Sequence, residues 1–151
     1  MNAGDTTGFA DFVQKVFAEF VAPLYQDEGV DEFSKYVTAK ALADRLTAGN
    51  IFVVAENGSK TIGVIEMREN HHIALLFVEA SSQRQGVARE LIRQAVALCR
   101  ERAHDLQTVT VNSSPNAFAA YRRLGFRPTG EERTVNGIRF IPMALPLEEN
   151  N

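Results

Sequence analysis

Leu76-Phe77-Val78-Glu79-Ala80-Ser81-Ser82-Gln83-Arg84-Gln85-Gly86-Val87-Ala88-Arg89-Glu90-Leu91 is the stretch on which the reading of this chain turns. Its apolar start ends at Val78, a polar hinge follows, and apolar residues then recur at helical spacing. The pattern predicts a strand, a loop and the first turns of a helix. Such a loop can aim several backbone N–H groups at one point. The helix N-terminus adds the positive end of its macrodipole, so the fitting ligand is an anion such as phosphate. Gly86 brings no Cβ to obstruct a close approach, and Ala88 keeps the first helical turn thin.

Working outward, residues 72–78 are nearly continuous in apolar character, which predicts a central strand buried on both faces. Residues 51–55 and 61–68 read as two earlier strands joined by the hairpin signal Asn57-Gly58, with Asn70 turning the chain again. Phe9, Phe12, Val13, Val16, Phe17 and Phe20 fall at helical spacing, with Thr6 or Thr7 as cap and Pro23 limiting the far end. Residues 25–32 read as an acidic loop turning at Gly29, and 33–46 as a second helix broken near Thr38. Downstream, 86–102 predicts a helix whose inward stripe is Ala88, Leu91, Ile92, Ala95, Leu98 and Cys99. Residues 108–111 form a short strand, and Pro115 opens a helix stopped by Gly125. Residues 126–134 and 138–145 then pair as a hairpin around Val135-Asn136-Gly137, before a disordered acidic tail. Helices first, then antiparallel strands, then strand–helix–strand units, predict an α/β domain on a mixed sheet.

Composition bounds the function. A chain of 151 residues is expected to form one domain over residues 1–151 and needs no disulfide or metal to fold. Its net charge of −3 argues against a general nucleic-acid or membrane-surface role. The one cysteine, Cys99, excludes an intrachain disulfide and suits a reducing compartment. The opening MNAGDTTGF has neither a basic nor an apolar leader region, and no apolar run approaches ~18 residues, so a cytoplasmic location is expected. His71 and His72 are adjacent in or beside a strand and point to opposite faces, which opposes a shared metal site; no metal is expected.

A second segment, about thirty residues on, gives the loop its context. Val111-Asn112-Ser113-Ser114-Pro115-Asn116-Ala117-Phe118-Ala119-Ala120-Tyr121-Arg122-Arg123-Leu124-Gly125-Phe126 follows a strand and enters a helix. Together the two segments resemble the GNAT superfamily of N-acetyltransferases. Val78, Gln83, Gly86, Ala88 and Leu91 match its acyl-CoA pyrophosphate loop, V-x-x-x-x-(Q/R)-x-x-G-x-(G/A)-x-x-L. Ala117, Tyr121, Gly125 and Phe126 match N-x-x-A-x-x-x-Y-x-x-x-G-F, with Ser114 where the family has asparagine. The paired amphipathic helices before the sheet are also similar to the family's acceptor-side helices, whereas the family's usual opening strand has no counterpart in residues 1–8.

The resemblance implies a GNAT fold: a central twisted mixed β-sheet with helices on both faces. It implies an acetyl-CoA-dependent N-acetyltransferase whose acceptor is the primary amine of a small molecule or peptide. Gln83, Arg84, Gln85, Gly86, Val87, Ala88 and Arg89 would hold the pyrophosphate, with Arg84, Arg89 and Arg93 adding positive charge. Leu76, Phe77 and Val78 would pair their backbone with the pantetheine arm where two strands part. Asn112 and Ser114 would share its side-chain contact. Tyr121 would sit at the thioester sulfur. A phenol at about 10 giving its proton to a thiolate near 8.5 is uphill by roughly 2 kcal/mol, so Tyr121 helps mainly by hydrogen-bonding sulfur as charge builds. A lysine-like amine, at about 10.4, needs a base or a water chain leading to one. Glu66 is the leading candidate, ahead of Glu79 and His72. The family's habit allows a homodimer, and the acidic loop 27–32 could attract a cationic amine or be an ordinary solvated loop. Each residue also has a plainer reading. Gly86 could be a turn glycine, Tyr121 a rim tyrosine, Glu66 a structural carboxylate and Cys99 a small core residue. A non-catalytic acyl-CoA sensor or partner-docking domain is the alternative from another class.

Overall fold

The computed structural model describes residues 5–20 and 27–148. Three helices precede the sheet: α1 (Thr6–Phe20), α2 (Asp27–Tyr36) and α3 (Ala39–Thr47). The strands β1 (Ile51–Asn57), β2 (Lys60–Arg68) and β3 (His72–Val78) form an antiparallel meander. Helix α4 (Val87–Arg102) leads to β4 (Thr108–Ser113), and a 3₁₀ turn at Pro115–Ala117 leads to α5 (Phe118–Arg123). Short β5 (Arg127–Pro128) and β6 (Arg133–Val135) precede the long β7 (Ile138–Pro146). The order across the sheet is β1-β2-β3-β4-β7-β5, with β6 paired to β7 off that path. Among the described residues only β3 and β4 run parallel, joined by the crossover through α4, so the mixed sheet is as expected.

Alternation along β2 shows how both faces are covered. Ile65 and Met67 pack with Leu91, Ala95 and Cys99 of α4, while Val64 packs with Val13 of α1 and Leu42 of α3. Cys99 is fully buried, and burial pushes its thiol up to about 11, which makes it an inert core residue. The α4 stripe differs from expectation at two positions. Val96 is buried and Leu98 is exposed, because the helix turns its next apolar residue toward solvent.

Three other elements differ from the sequence reading. Residues 27–36 form α2 instead of an acidic loop: Asp27 and Glu28 occupy its first turn and Lys35 its last, complementing the helix dipole. The expected helix over 33–46 is therefore the end of α2 plus α3, and Thr38 makes the break by accepting the Ala41 N–H at 3.0 Å as the cap of α3. Residues 126–134 are not one strand, since only Arg127–Pro128 and Arg133–Val135 pair with β7. Residues 1–4, Pro23, Tyr25, Gln26 and 149–151 lie outside the described residues. Gly29 and Gly137 show why α2 sits where it does. The turn at Gly137 (φ +77°) approaches α2 so closely that a Cβ there would lie 2.6 Å from the Gly29 nitrogen.

Candidate functional site

The site begins with a pairing irregularity. Glu66 lies opposite Leu75 and Met67 opposite Ile73, so Ala74 is an extra residue in β3. Before this bulge, His72 and Ile73 pair with Thr110 and Val111 of β4. After it, Leu75 to Val78 pair only with β2, and the two parallel strands part. A cleft of about 200 Å³ fills the gap. Leu76, Phe77 and Val78 border it from β3, Asn112 and Ser114 from the end of β4, and Ala117 and Tyr121 from the following turn and helix. The backbone edge after the bulge is what an extended, amide-bearing ligand could pair with.

The loop from β3 to α4 closes one end. A 3₁₀ turn at Ala80–Ser82 is tied down by Glu79, whose carboxylate accepts from Ser81 and Ser82 and faces Lys60 at 3.2 Å. These donors hold the Glu79 carboxyl below the usual range. Gln83 borders the cleft and donates its side-chain amide to the Val78 carbonyl at 3.0 Å. Arg84 (φ +62°) and Gly86 (φ +83°) are both left-handed, so the backbone curls before α4 begins. The first helical bond runs from the Glu90 N–H to the Gly86 carbonyl, leaving the N–H groups of Gly86, Val87, Ala88 and Arg89 without intrahelical acceptors. A Cβ on Gly86 would meet nothing within 4 Å, so the chain is open to approach at that point. Arg93, by contrast, is committed to Glu90 through two bonds of 2.6 and 2.9 Å. That pairing holds the Glu90 carboxyl down at about 2. A larger open groove of about 540 Å³ runs along the outer side of α4, bordered by both Arg89 and Arg93.

Tyr121 stands at the other side of the cleft. Its ring is buried and packs edge-on against Phe126, with centroids 5.2 Å apart. Among the described residues nothing hydrogen-bonds its hydroxyl. Burial pushes the phenol well above its ordinary value, so it stays a proton-bearing donor at neutral pH.

Glu66 is brought elsewhere. It is fully buried on the α1–α3 face, and Arg45 grips its carboxylate at 2.7 and 3.0 Å while Asn50 donates at 2.7 Å. The Arg45 guanidinium also lies 3.8 Å above the Tyr36 ring. A carboxylate so clamped is not among the residues that border the cleft. His72 also lies outside the lining. Its ring meets the Thr110 hydroxyl at 2.7 Å, and burial, with Arg68 and His71 nearby, lowers it to about 4. Among the described residues no group of His, Cys, Asp and Glu could hold a metal.

Comparison with known proteins settles the lineage. The family model described as Acetyltransferase (GNAT) domain matches residues 21–147. The chain belongs to the GNAT acetyltransferase family. A curated relative, N-acetyltransferase 8 of Homo sapiens, is 31% identical over 107 residues, covering 63% of this chain and 45% of its own length. The chain thus spans less than half of that relative. Among solved structures, a GCN5-related N-acetyltransferase from Rhodopseudomonas palustris superposes with a TM-score of 0.80 at 20% identity, over 95% of this chain and 91% of its own. The PaiA N-acetyltransferase from Thermoplasma acidophilum, solved with coenzyme A, gives 0.77 at 16% identity, over 97% and 96%. At these identities the likeness is one of fold, and the GNAT fold is what the sheet and its two helical faces display.

Sequence reasoning missed two features of the site. The aromatic wall of Phe17 and Phe33 borders the cleft from α1 and α2, and only Phe77 of that group had been singled out. A bulge where the strands part is what the resemblance implies, but no residue type marks its position at Ala74. Arg45 as partner of Glu66 was detectable in principle, because a carboxylate inside an apolar strand requires a buried cation or donors.

Proposed function

We propose that this GNAT protein moves an acetyl group from acetyl-CoA to a primary amine by direct attack. The observation that carries the proposal is the parting of β3 from β4 after Ile73, which opens a cleft bordered by Gln83 of the loop before α4 and by Tyr121. The Gly86–Arg89 N–H groups and the curled loop suit the pyrophosphate, with Arg84 and Arg89 adding charge. The Leu76–Val78 backbone suits the pantetheine amides, and Asn112 and Ser114 offer polar groups at its far edge. Tyr121, held protonated by burial, donates toward the sulfur as the thioester breaks. Glu66 acts in this scheme by anchoring Arg45 and the end of α2, through the Tyr36 carbonyl that Arg45 also holds at 2.8 Å. The complex of the Thermoplasma protein with coenzyme A supports the choice of donor.

Calorimetric titration of acetyl-CoA into the wild type and a Gly86→Glu variant tests the proposal. Binding to the wild type, with at least tenfold loss in the variant, is expected. A wild type that fails to bind would refute it, and binding without turnover on any amine would instead assign an acyl-CoA sensor.

A further inference from the structure

The acceptor side of the cleft has a definite chemical character. Phe17 and Phe33 stack with centroids 3.9 Å apart, and Phe33 meets Phe77 edge-on at 5.9 Å. All three border the cleft. Among the described residues that border it there is no Asp, Glu, Lys, Arg or His, and Tyr121 is the one titratable side chain. The nearby groups able to take a proton are occupied. Glu66 is bound to Arg45 and Asn50, Glu79 to Ser81, Ser82 and Lys60, and His72 to Thr110.

We infer that the acceptor is a weakly basic primary amine with an apolar, aromatic-sized group beside its nitrogen. This rests on the acetyl-transfer reading above. Among the described residues that border the cleft, an ammonium ion would find neither a counter-charge nor a base placed to deprotonate it. A neutral amine avoids both costs, and its apolar substituent fits the phenylalanine wall. Its lone pair attacks the thioester carbonyl, the C–N bond forms, and the C–S bond breaks with its electron pair leaving on sulfur. The proton shed by nitrogen passes to solvent, and a proton returns to sulfur, giving amide and free thiol. The supply of neutral amine then governs selection. An α-amino group near 8 is neutral in roughly several hundredfold greater proportion at pH 7 than an ε-amine near 10.4.

Three acceptors test this: phenylalanine amide, glycine amide and an Nα-blocked lysine amide. Their kcat/KM values are measured from pH 6.5 to 9.5, with acetyl-CoA affinity measured on the same samples. Phenylalanine amide should exceed the lysine derivative at least about a hundredfold at pH 7 and level off near pH 8. The lysine derivative should gain about tenfold per pH unit throughout. Phe33→Ala, with Phe33→Leu as the milder variant, should shrink the preference for phenylalanine amide over glycine amide at least tenfold and leave acetyl-CoA affinity unchanged. A lysine derivative used equally well with a flat profile, glycine amide matching phenylalanine amide, or transfer to none of the three would overturn the inference while the transfer reading stands. Absence of acetyl-CoA binding would overturn both.

Discussion

Removing one oxygen separates the chemistry of Tyr121 from its packing. In a Tyr121→Phe variant the ring keeps its edge-on contact with Phe126 and its place in the core. The hydroxyl has no hydrogen-bond partner among the described residues, so no protein bond is lost and no buried partner is orphaned. Stability should change by less than about 0.5 kcal/mol, or no more than roughly 2 °C in Tm for a chain of this size. Catalysis should respond quite differently. A hydrogen bond to a charged group contributes about 1.5–3 kcal/mol, and here it would form only as charge gathers on sulfur. Losing it should lower kcat roughly 10- to 150-fold at saturating acetyl-CoA, with donor affinity within about twofold of wild type. Thiol release in a stopped assay gives kcat, calorimetry gives the affinity, and a thermal scan gives Tm. Because burial raises the phenol, the wild type should also show no loss of kcat from its ionisation between pH 7 and 10. A variant with unchanged kcat, or one whose Tm falls by more than about 5 °C, would refute the reasoning.

Three further perturbations probe the frame around the cleft. Glu66→Gln should cost about 3–5 kcal/mol in denaturant unfolding, because Arg45 is left largely buried without its counter-charge; combining it with Arg45→Met should recover part of that loss, and strict additivity would argue against the pair. Gly137→Ala should lower Tm by at least about 5 °C, since the new Cβ meets the Gly29 nitrogen at 2.6 Å and the backbone is left-handed (φ +77°); a variant as stable as wild type would contradict that contact. For His72 the folded value lies near 4, below the unfolded value of about 6.5, so the unfolded chain binds the proton first. Stability from this half-buried ring is therefore complete above pH 6.5 and drains away as pH falls toward 4, by about 1–2 kcal/mol after solvent screening. His72→Asn should flatten that window in a urea titration series, and an unchanged slope would remove His72 as its source.

How far the sequence could be read depended on whether a residue's job is done by its own backbone or by a distant partner. The β3–α4 segment was readable because its period changes at Val78 and its left-handed N-cap falls at a glycine, Gly86. The same holds for Thr38, which caps α3 through local geometry alone. Helix α2 was misread because Gly29 looks like a turn residue, whereas it lies inside the helix, with its backbone against the turn at Gly137 more than a hundred residues away. Ala74 carries no mark of the bulge, since an extra residue exists only relative to the register of β2. Glu66 illustrates the remaining case. Its charge in an apolar strand signals importance, but catalysis and burial of an ion pair produce the same signal, and the choice rests on where Arg45 and Asn50 lie. On the proposed reading, the donor half of the cleft is built largely from backbone groups of one continuous segment, so its chemistry could be stated from the chain alone. The acceptor half is assembled from α1, α2 and β3, and its uncharged aromatic character emerges only when Phe17, Phe33 and Phe77 are brought together. It follows that related sequences sharing the loop and Tyr121 can keep the same donor while differing in acceptor, because substitutions at those three phenylalanines leave every donor-side feature in place.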